Sequence, residues 1–310
     1  AQRFKTSARG ESMKRFVWLL PACVMLGGCF SLHEEQPLTV PAPALNAAQA
    51  AAGQKAQQLK EKKDKAKEFP AVLGGVVSSD RWVVYTAKEE EEFEGNVHYD
   101  NGTYAFRADY ALSQRKKNLF TARGHVFART TDEDGTAYAL QADQARYNYA
   151  TGQGQASAQD KNQITLTYQT AAGDRVTARA QKAEFNTQQK IYILSGVAFI
   201  TYQNAAGEES TLQADRITAR QQDNYALLEG NAEVKNADYT LQADTLEYDG
   251  KNQMAYAYGR RPLAQGKTED GTFAIIADKV TAQTATRQIK LSGRVQGWAV
   301  SDKINQSKTN

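Results

Sequence analysis

The sequence predicts an all-β body built from repeats, two antiparallel sheets facing one another. Three observations predict it. A four-residue phrase returns along the chain: Phe-Arg-Ala-Asp at 106–109, Leu-Gln-Ala-Asp at 140–143, 212–215 and 241–244, and Ile-Ile-Ala-Asp at 275–278, with a degenerate copy, Val-Thr-Ala-Arg-Ala, at 176–180. A glycine phrase alternates with it: Gly95-Asn96-Val97, Gly124-His125-Val126, Gly196-Val197-Ala198, Gly230-Asn231-Ala232 and Gly293-Arg294-Val295. A unit of roughly 30–38 residues that recurs in this way marks a repeat architecture. Within each unit apolar residues alternate with polar ones, and Thr, Tyr and Val crowd the phrases, so the unit is a strand unit and not a helical one.

Residues Ala1–Ser12 precede Met13 and are read as an extension outside the fold. Lys14 and Arg15 then lead into an apolar run, Phe16 to Gly28, that ends at Cys29. This is the layout of a secretory signal, too short for a membrane span of about 20 residues. Leu26-Gly27-Gly28-Cys29 resembles the lipobox of bacterial lipoproteins. The resemblance implies a cut before Cys29 and diacylation of that residue; two acyl chains anchor stably where one does not. Phe30 in place of Asp points, by resemblance to enterobacterial sorting, to the outer membrane. Cys23 falls within the signal, so the processed chain retains no cysteine for a disulfide framework. Processing also changes the charge. The full chain is +3, with 38 basic and 35 acidic groups. Removing Arg3, Lys5, Arg9, Lys14 and Arg15 together with Glu11 leaves 33 against 34, a net −1. Nucleic-acid binding thereby loses its electrostatic footprint.

The expected organisation is an extension and signal at 1–28, an anchored tether at 29–75, a β body at 76–300 and a frayed tail at 301–310. Pro37, Pro41 and Pro43 make the tether extended. Ala44–Phe69 favours a polar helix whose Lys-rich stretch is a solvated spacer, since Leu and Ala make a poor apolar face there. Pro70 and Gly74-Gly75 end it. The body is long enough for one all-β domain. Asp100-Asn101-Gly102, Asp132 to Gly135, Ala172-Gly173-Asp174, Ala206-Gly207, Asp249-Gly250 and Asp270-Gly271 are hairpin turns.

Successive strand side chains alternate faces, which sorts the inward rows. The glycine phrases give Phe120/Ala122/Gly124/Val126, Tyr192/Leu194/Gly196/Ala198/Ile200, Leu228/Gly230/Ala232/Val234 and Ile289/Leu291/Gly293/Val295. The Ala-Asp phrases give Leu140/Ala142, Leu212/Ala214, Leu241/Ala243 and Ile275/Ala277, resuming three residues on at Ala145, Ile217, Leu246 and Val280. The change of spacing places a bulge at each Asp, whose carboxylate bonds nearby backbone N–H groups. Tyr147, Tyr149, Tyr192, Tyr202, Tyr248, Tyr256 and Tyr258 suit an apolar-to-wet boundary. The rows are rich in Ala and Gly, so the sheets either draw together or leave a slot for something thin and apolar, such as an acyl chain. Eight to ten strands per sheet give a slot on the order of 40 Å. Its open ends are edge strands, Asp80–Thr86 with Trp82 and Val84, and Gln288–Val300 with Ile289 and Val295; such edges recruit another strand.

His33, His98 and His125 lack zinc-ligand spacing, and no nucleophile elbow, phosphate loop or Cys-x-x-Cys occurs. Glu89–Glu92 reads as a solvated turn rather than a metal site. No enzyme, cofactor or metal is expected.

The Leu-Gln-Ala-Asp phrases and their glycine partners, as in Glu229-Gly-Asn-Ala-Glu-Val234 and Leu241 to Asp249, resemble the OstA-like family of periplasmic lipopolysaccharide-export proteins over about Val76–Val300. The resemblance implies an open, twisted β-jellyroll, or β-taco. It also implies lipid A acyl chains in its cleft and head-to-tail pairing of terminal strands with other family members or a second copy. The groove residues are then Phe120, Val126, Leu140, Leu194, Ile200, Leu212, Leu228, Val234, Leu241, Leu246, Ile275, Leu291 and Val295. The function expected is a non-enzymatic periplasmic carrier of lipopolysaccharide. The alternatives are a filled β-solenoid scaffold for envelope assembly and a β-solenoid enzyme acting on polysaccharide.

Overall fold

A computed structural model describes residues 75–301, apart from 133, 161, 269, 270, 284 and 287. The signal, the lipidation site Cys29, the tether and nearly all of the tail lie outside the described residues. Two short strands come first, β1 (Val76–Ser78) and β2 (Arg81–Tyr85). Four long ones follow, β3 (Glu90–Asp100), β4 (Tyr104–Gln114), β5 (Leu119–Thr131) and β6 (Ala137–Asn148). The middle is split into β7 (Gln153–Ser157), β8 (Ile164–Gln169), β9 (Arg175–Ala180) and β10 (Lys182–Asn186). Long strands return as β11 (Ile191–Gln203), β12 (Glu209–Arg220), β13 (Tyr225–Asn236) and β14 (Tyr239–Asp249). The chain closes with β15 (Met254–Tyr258), β16 (Leu263–Thr268), β17 (Gly271–Ile276), β18 (Lys279–Gln283), β19 (Gln288–Ser292) and β20 (Gln296–Ser301).

All twenty strands are joined edge to edge, and every pairing is antiparallel. Each long strand bends near its middle and so belongs to two walls. On β5, Arg123 faces Gln144 and Val126 faces Ala142, so Gly124 and His125 together oppose Asp143 alone. Two residues against one is a β-bulge, which bends the strand. The same slip occurs at Gly95-Asn96, Gly196-Val197 and Gly230-Asn231. Beyond the bends, one wall runs β1, β3, β4, β5, β6, β8, β9, β11, β12, β13, β14, β16, β17, β20. The other runs β2, β3, β4, β5, β6, β7, β10, β11, β12, β13, β14, β15, β18, β19. The line of bulges is the crease of a folded sheet, which is the open antiparallel jellyroll expected.

The walls are longer than the eight to ten strands expected. Fourteen levels at about 4.8 Å each make a trough on the order of 60 Å. The shortfall arose because the chain crosses the crease at each of the fourteen levels, and because several bends carry no full copy of either phrase. The tight turns fall at the Asn, Asp and Gly clusters. Asp100 and Asn101, for example, accept hydrogen bonds from the N–H groups of Gly102, Thr103 and Tyr104. Several connections had no sequence warning, the turns at 86–89 and 187–190 among them, and two have a distinct form. They are short 3₁₀ turns at Arg115–Lys117 and Gln221–Asp223, each closed by an asparagine in the left-handed region, Asn118 and Asn224.

Glu89–Glu92 is a correction. Glu90 to Glu92 open β3 rather than forming a turn, and cross-strand partners hold them there. Glu91 pairs with Arg115 and Glu90 accepts from the Gln114 amide. Glu92 accepts hydrogen bonds from the Tyr110 hydroxyl at 2.8 Å and the Tyr85 hydroxyl at 2.9 Å. Those two bonds, Tyr110 first, hold the Glu92 carboxyl below the usual carboxylate range. A depressed carboxylate adds stability above its unfolded pKa and loses it as pH falls through the folded value. Glu92→Gln should therefore melt below the parent at pH 7, and the gap should shrink as pH is lowered through the acid range, read by thermal denaturation.

Candidate functional site: the trough and its crease

The crease is held by one device repeated seven times, six times intact. An Asp at one bend accepts a hydrogen bond from the residue sixteen positions later, at the bend of the next strand. Asp80 takes Asn96 Nδ2 at 2.9 Å, Asp109 meets His125 Nδ1 at 2.8 Å, and Asp215 takes Asn231 Nδ2 at 3.0 Å. Asp143 accepts from the N–H of Gln159 at 2.6 Å, and Asp244 from the N–H of Arg260 at 2.6 Å. Asp278 accepts from Arg294 Nε at 3.2 Å. The sequence argument placed the Asp correctly at a bend, but its bonds reach the neighbouring strand's bend, mostly through side chains. Glycine is required beside it for two reasons. Gly230 sits at φ +75, and a Cβ there would lie 2.3 Å from Asp215 Oδ2. The seventh position differs. Gln181 replaces Asp and Val197 replaces the donor. Val197 holds φ +53, where a β-branched residue is an outlier costing on the order of 1–3 kcal/mol.

Inside the crease the walls touch. On the first wall Val97, Ala108, Val126, Ala142, Ile164, Ala180, Ala198, Ala214 and Ala232 are 0–9% exposed. Opposite them lie Ala111, Ala122, Ala156, Ala183, Leu194, Ile217, Leu228 and Leu246, equally buried. Nearly all of these residues form one cluster. Of the two outcomes left open by the Ala-rich rows, the described structure takes the closed one at mid-length: small residues bring the sheets together. The next row outward, Leu140, Leu166, Ala178, Ile200 and Leu212, is also buried. Burial then relaxes. Phe120, Val234, Leu241 and Leu291 are half-buried against the cluster, and Ile275 is half-buried outside it. A shallow hollow of about 500 Å³ lined by Leu119, Asn148, Gln153, Asn186, Ile191 and Ile193 lies on the outside of the second wall rather than between the walls.

Most predicted groove residues therefore share one interior. Val295 does not. It sits 49% exposed in the bend before β20, because among the described residues no strand pairs beyond β19 and β20. Among the tyrosines, Tyr147, Tyr202 and Tyr248 pack at the margin of the core and Tyr192 lies within it. Tyr256 and Tyr258 alternate out of phase with the inward Ala257 and face outward, Tyr258 donating to Glu247 at 3.2 Å. Sequence reasoning missed Tyr138 and Tyr168, an edge-to-face pair 5.3 Å apart on the open margin of the first wall. Burial, then Asp132, pushes the Tyr138 hydroxyl well above its ordinary range. At the two ends Trp82, Val84 and Ile289 are 56%, 53% and 62% exposed on the terminal strands β2 and β19.

Comparison with known proteins agrees with this architecture. Residues 76–225 match the family model described as LptA/(LptD N-terminal domain) LPS transport protein. Residues 174–299 match the one described as Lipopolysaccharide-assembly, LptC-related. The two overlap over 174–225 and together span nearly all of the described body. No curated protein matches the chain. Among solved structures, the crystal structure of LptH, the LptA homologous periplasmic component of the lipopolysaccharide transport device from Pseudomonas aeruginosa, is similar. That likeness has 13% identity, covers 59% of this chain and 81% of that one, and has a TM-score of 0.16, too low to carry weight. Two overlapping family matches on a creased, repeat-built jellyroll place the chain: it belongs to the OstA-like family of lipopolysaccharide-transport proteins.

Proposed function

We propose that the protein is a non-enzymatic periplasmic carrier that holds the acyl chains of lipopolysaccharide between its two walls and hands them on. The observation that carries this reading is the apolar lining that runs from Phe93 at one end, across Phe106 and Phe120, through Leu194, Leu228 and Leu246 to Leu291 at the other. The walls meet in the described structure, so cargo enters by parting them. Acyl chains then replace wall-to-wall contacts with equivalent apolar ones. Each CH₂ taken from water is worth about 0.8 kcal/mol, so a few carbons offset the loss of Ala–Ala contacts. Anchorage through Cys29, at the outer membrane rather than the inner, belongs to the same reading. So does end-to-end pairing through β1 and β2 with β19 and β20.

A photoreactive residue at Leu194, Leu228 or Leu291 should crosslink lipopolysaccharide, whereas one at Leu227, on the outer face of β13, should not. The measurement is the mobility shift of the protein band, developed with a lipopolysaccharide stain. Equal labelling inside and outside, or none inside, favours a filled scaffold, which the closed mid-section also suits.

A further inference from the structure

We propose that the crease has a joint at Gln181 and Val197, where the walls part first. The bends fall into seven pairs sixteen residues apart, and in the other six pairs an Asp clasp ties one bend to the next. At this bend both partners are changed at once: Gln181 has no side-chain hydrogen bond among the described residues, and Val197 has none to give. Only the backbone remains, Gln181 N–H to Ser195 O at 3.1 Å and Ala158 N–H to Gln181 O at 2.9 Å. Val197 is held at φ +53 and is 52% exposed. A strained, outward-pointing apolar residue favours any state in which its backbone relaxes, and asparagine there would remove both disadvantages.

The position of the defect gives it a use. It lies near the middle of the wall, seven levels from either end, within the segment where the two family matches overlap. Immediately inside it are Ala180, Ala198 and Leu194, among the most deeply buried residues of the closed trough. Of the seven bend pairs along the fold line six are clasped and one is not, and a pair comes apart most readily where the clasp is missing. The interior would then be exposed from its centre while the tied ends stay paired. The joint itself does not depend on the cargo; its use as the point where acyl chains enter rests on the carrier reading.

Hydrogen exchange read by mass spectrometry on the intact protein tests the joint without lipid. Amides of Gln181 and Ser195 should exchange at least tenfold faster than those at the corresponding Asp215 bend. The variant carrying Gln181→Asp and Val197→Asn should abolish that difference. The reverse pair, Asp215→Gln with Asn231→Val, should create a second fast site, which keeps the test decisive if the first variant folds poorly. Equal exchange at the two bends in the parent protein overturns the joint. With purified lipopolysaccharide, the clasped variant should take up ligand several-fold more slowly. Unchanged uptake despite slowed exchange overturns the entry role. Fast exchange in a parent that binds no lipopolysaccharide leaves the joint standing and removes the carrier reading instead.

Discussion

Gly230→Ala should lower the stability of the body by about 3 kcal/mol, roughly 6–12 °C in melting temperature for a domain of this size. Two effects add. An alanine at φ +75 meets the left-handed penalty of about 1–2 kcal/mol. Its Cβ also falls 2.3 Å from Asp215 Oδ2, with Cγ at 2.9 Å and Cβ at 3.0 Å, so the carboxylate must leave its place. The hydrogen bond from Asn231 goes with it, worth on the order of 1 kcal/mol at an exposed site. Gly102→Ala separates the two effects. Gly102 has φ +86 and nothing within 4 Å, so only the conformational penalty of about 1–2 kcal/mol remains. Adding Asp215→Ala to Gly230→Ala should cost less than the two single changes summed, because the second change removes the obstruction created by the first. Equal melting temperatures for Gly230→Ala and Gly102→Ala would mean that the clasp does no structural work.

The same device explains what was legible in the sequence and what was hidden. Phrases that keep both parts, such as Asp109 with Gly124-His125 and Asp215 with Gly230-Asn231, announced the bend directly. Their inward rows followed from alternation, because a two-residue bulge restores the original phase. The bends at Asp80, Asp143 and Asp244 did not announce themselves as pairs. Asp80 lacks the apolar lead, Asp143 meets Ala158-Gln159 with no glycine, and Asp244 meets Gly259-Arg260, which reads as a turn. All share the spacing of sixteen between acceptor and donor, a signal present in the sequence but visible only once the bond is known. Wall length was underestimated for the same reason. Whether the Ala-rich rows close or gape was not legible at all, since it depends on how two sheets approach across the fold line. The four glutamates misled because charge runs usually lie in turns, whereas here Tyr85 and Tyr110 on the adjacent strands and Arg115 in the turn that follows β4 supply partners.

Trp82→Asp or Ile289→Asp should abolish end-to-end assembly, read by light scattering over a range of concentrations, while leaving the melting temperature within a few degrees. Each wall holds an even number of antiparallel strands. A second copy displaced along the trough therefore brings its β1 antiparallel to β20 and its β2 antiparallel to β19. In the register that continues the inward rows, Leu291 meets Trp82 and Ile289 meets Val84. The exposed apolar residues Val76, Val77, Trp82 and Val84 at one end and Ile289, Val295, Trp298 and Val300 at the other are then covered together. Burying Trp82 is worth about 2–3 kcal/mol, and a carboxylate in its place adds a desolvation cost of similar size. At about 1.4 kcal/mol per tenfold, one substitution weakens the contact by more than 100-fold. Both side chains are more than half exposed in the single chain; Trp82 also stacks on Phe93 at 5.2 Å, but on a terminal strand, so its loss lowers the melting temperature by only a few degrees and Ile289→Asp is the milder change. The proposed contact would be heterologous, head against tail, which supplies a sharper test. A Trp82→Asp chain keeps a sound tail and an Ile289→Asp chain keeps a sound head. Mixed, they should form pairs and stop there, whereas either alone stays single. Longer assemblies in the mixture, or pairs of one variant by itself, would show that the chains associate through some other surface.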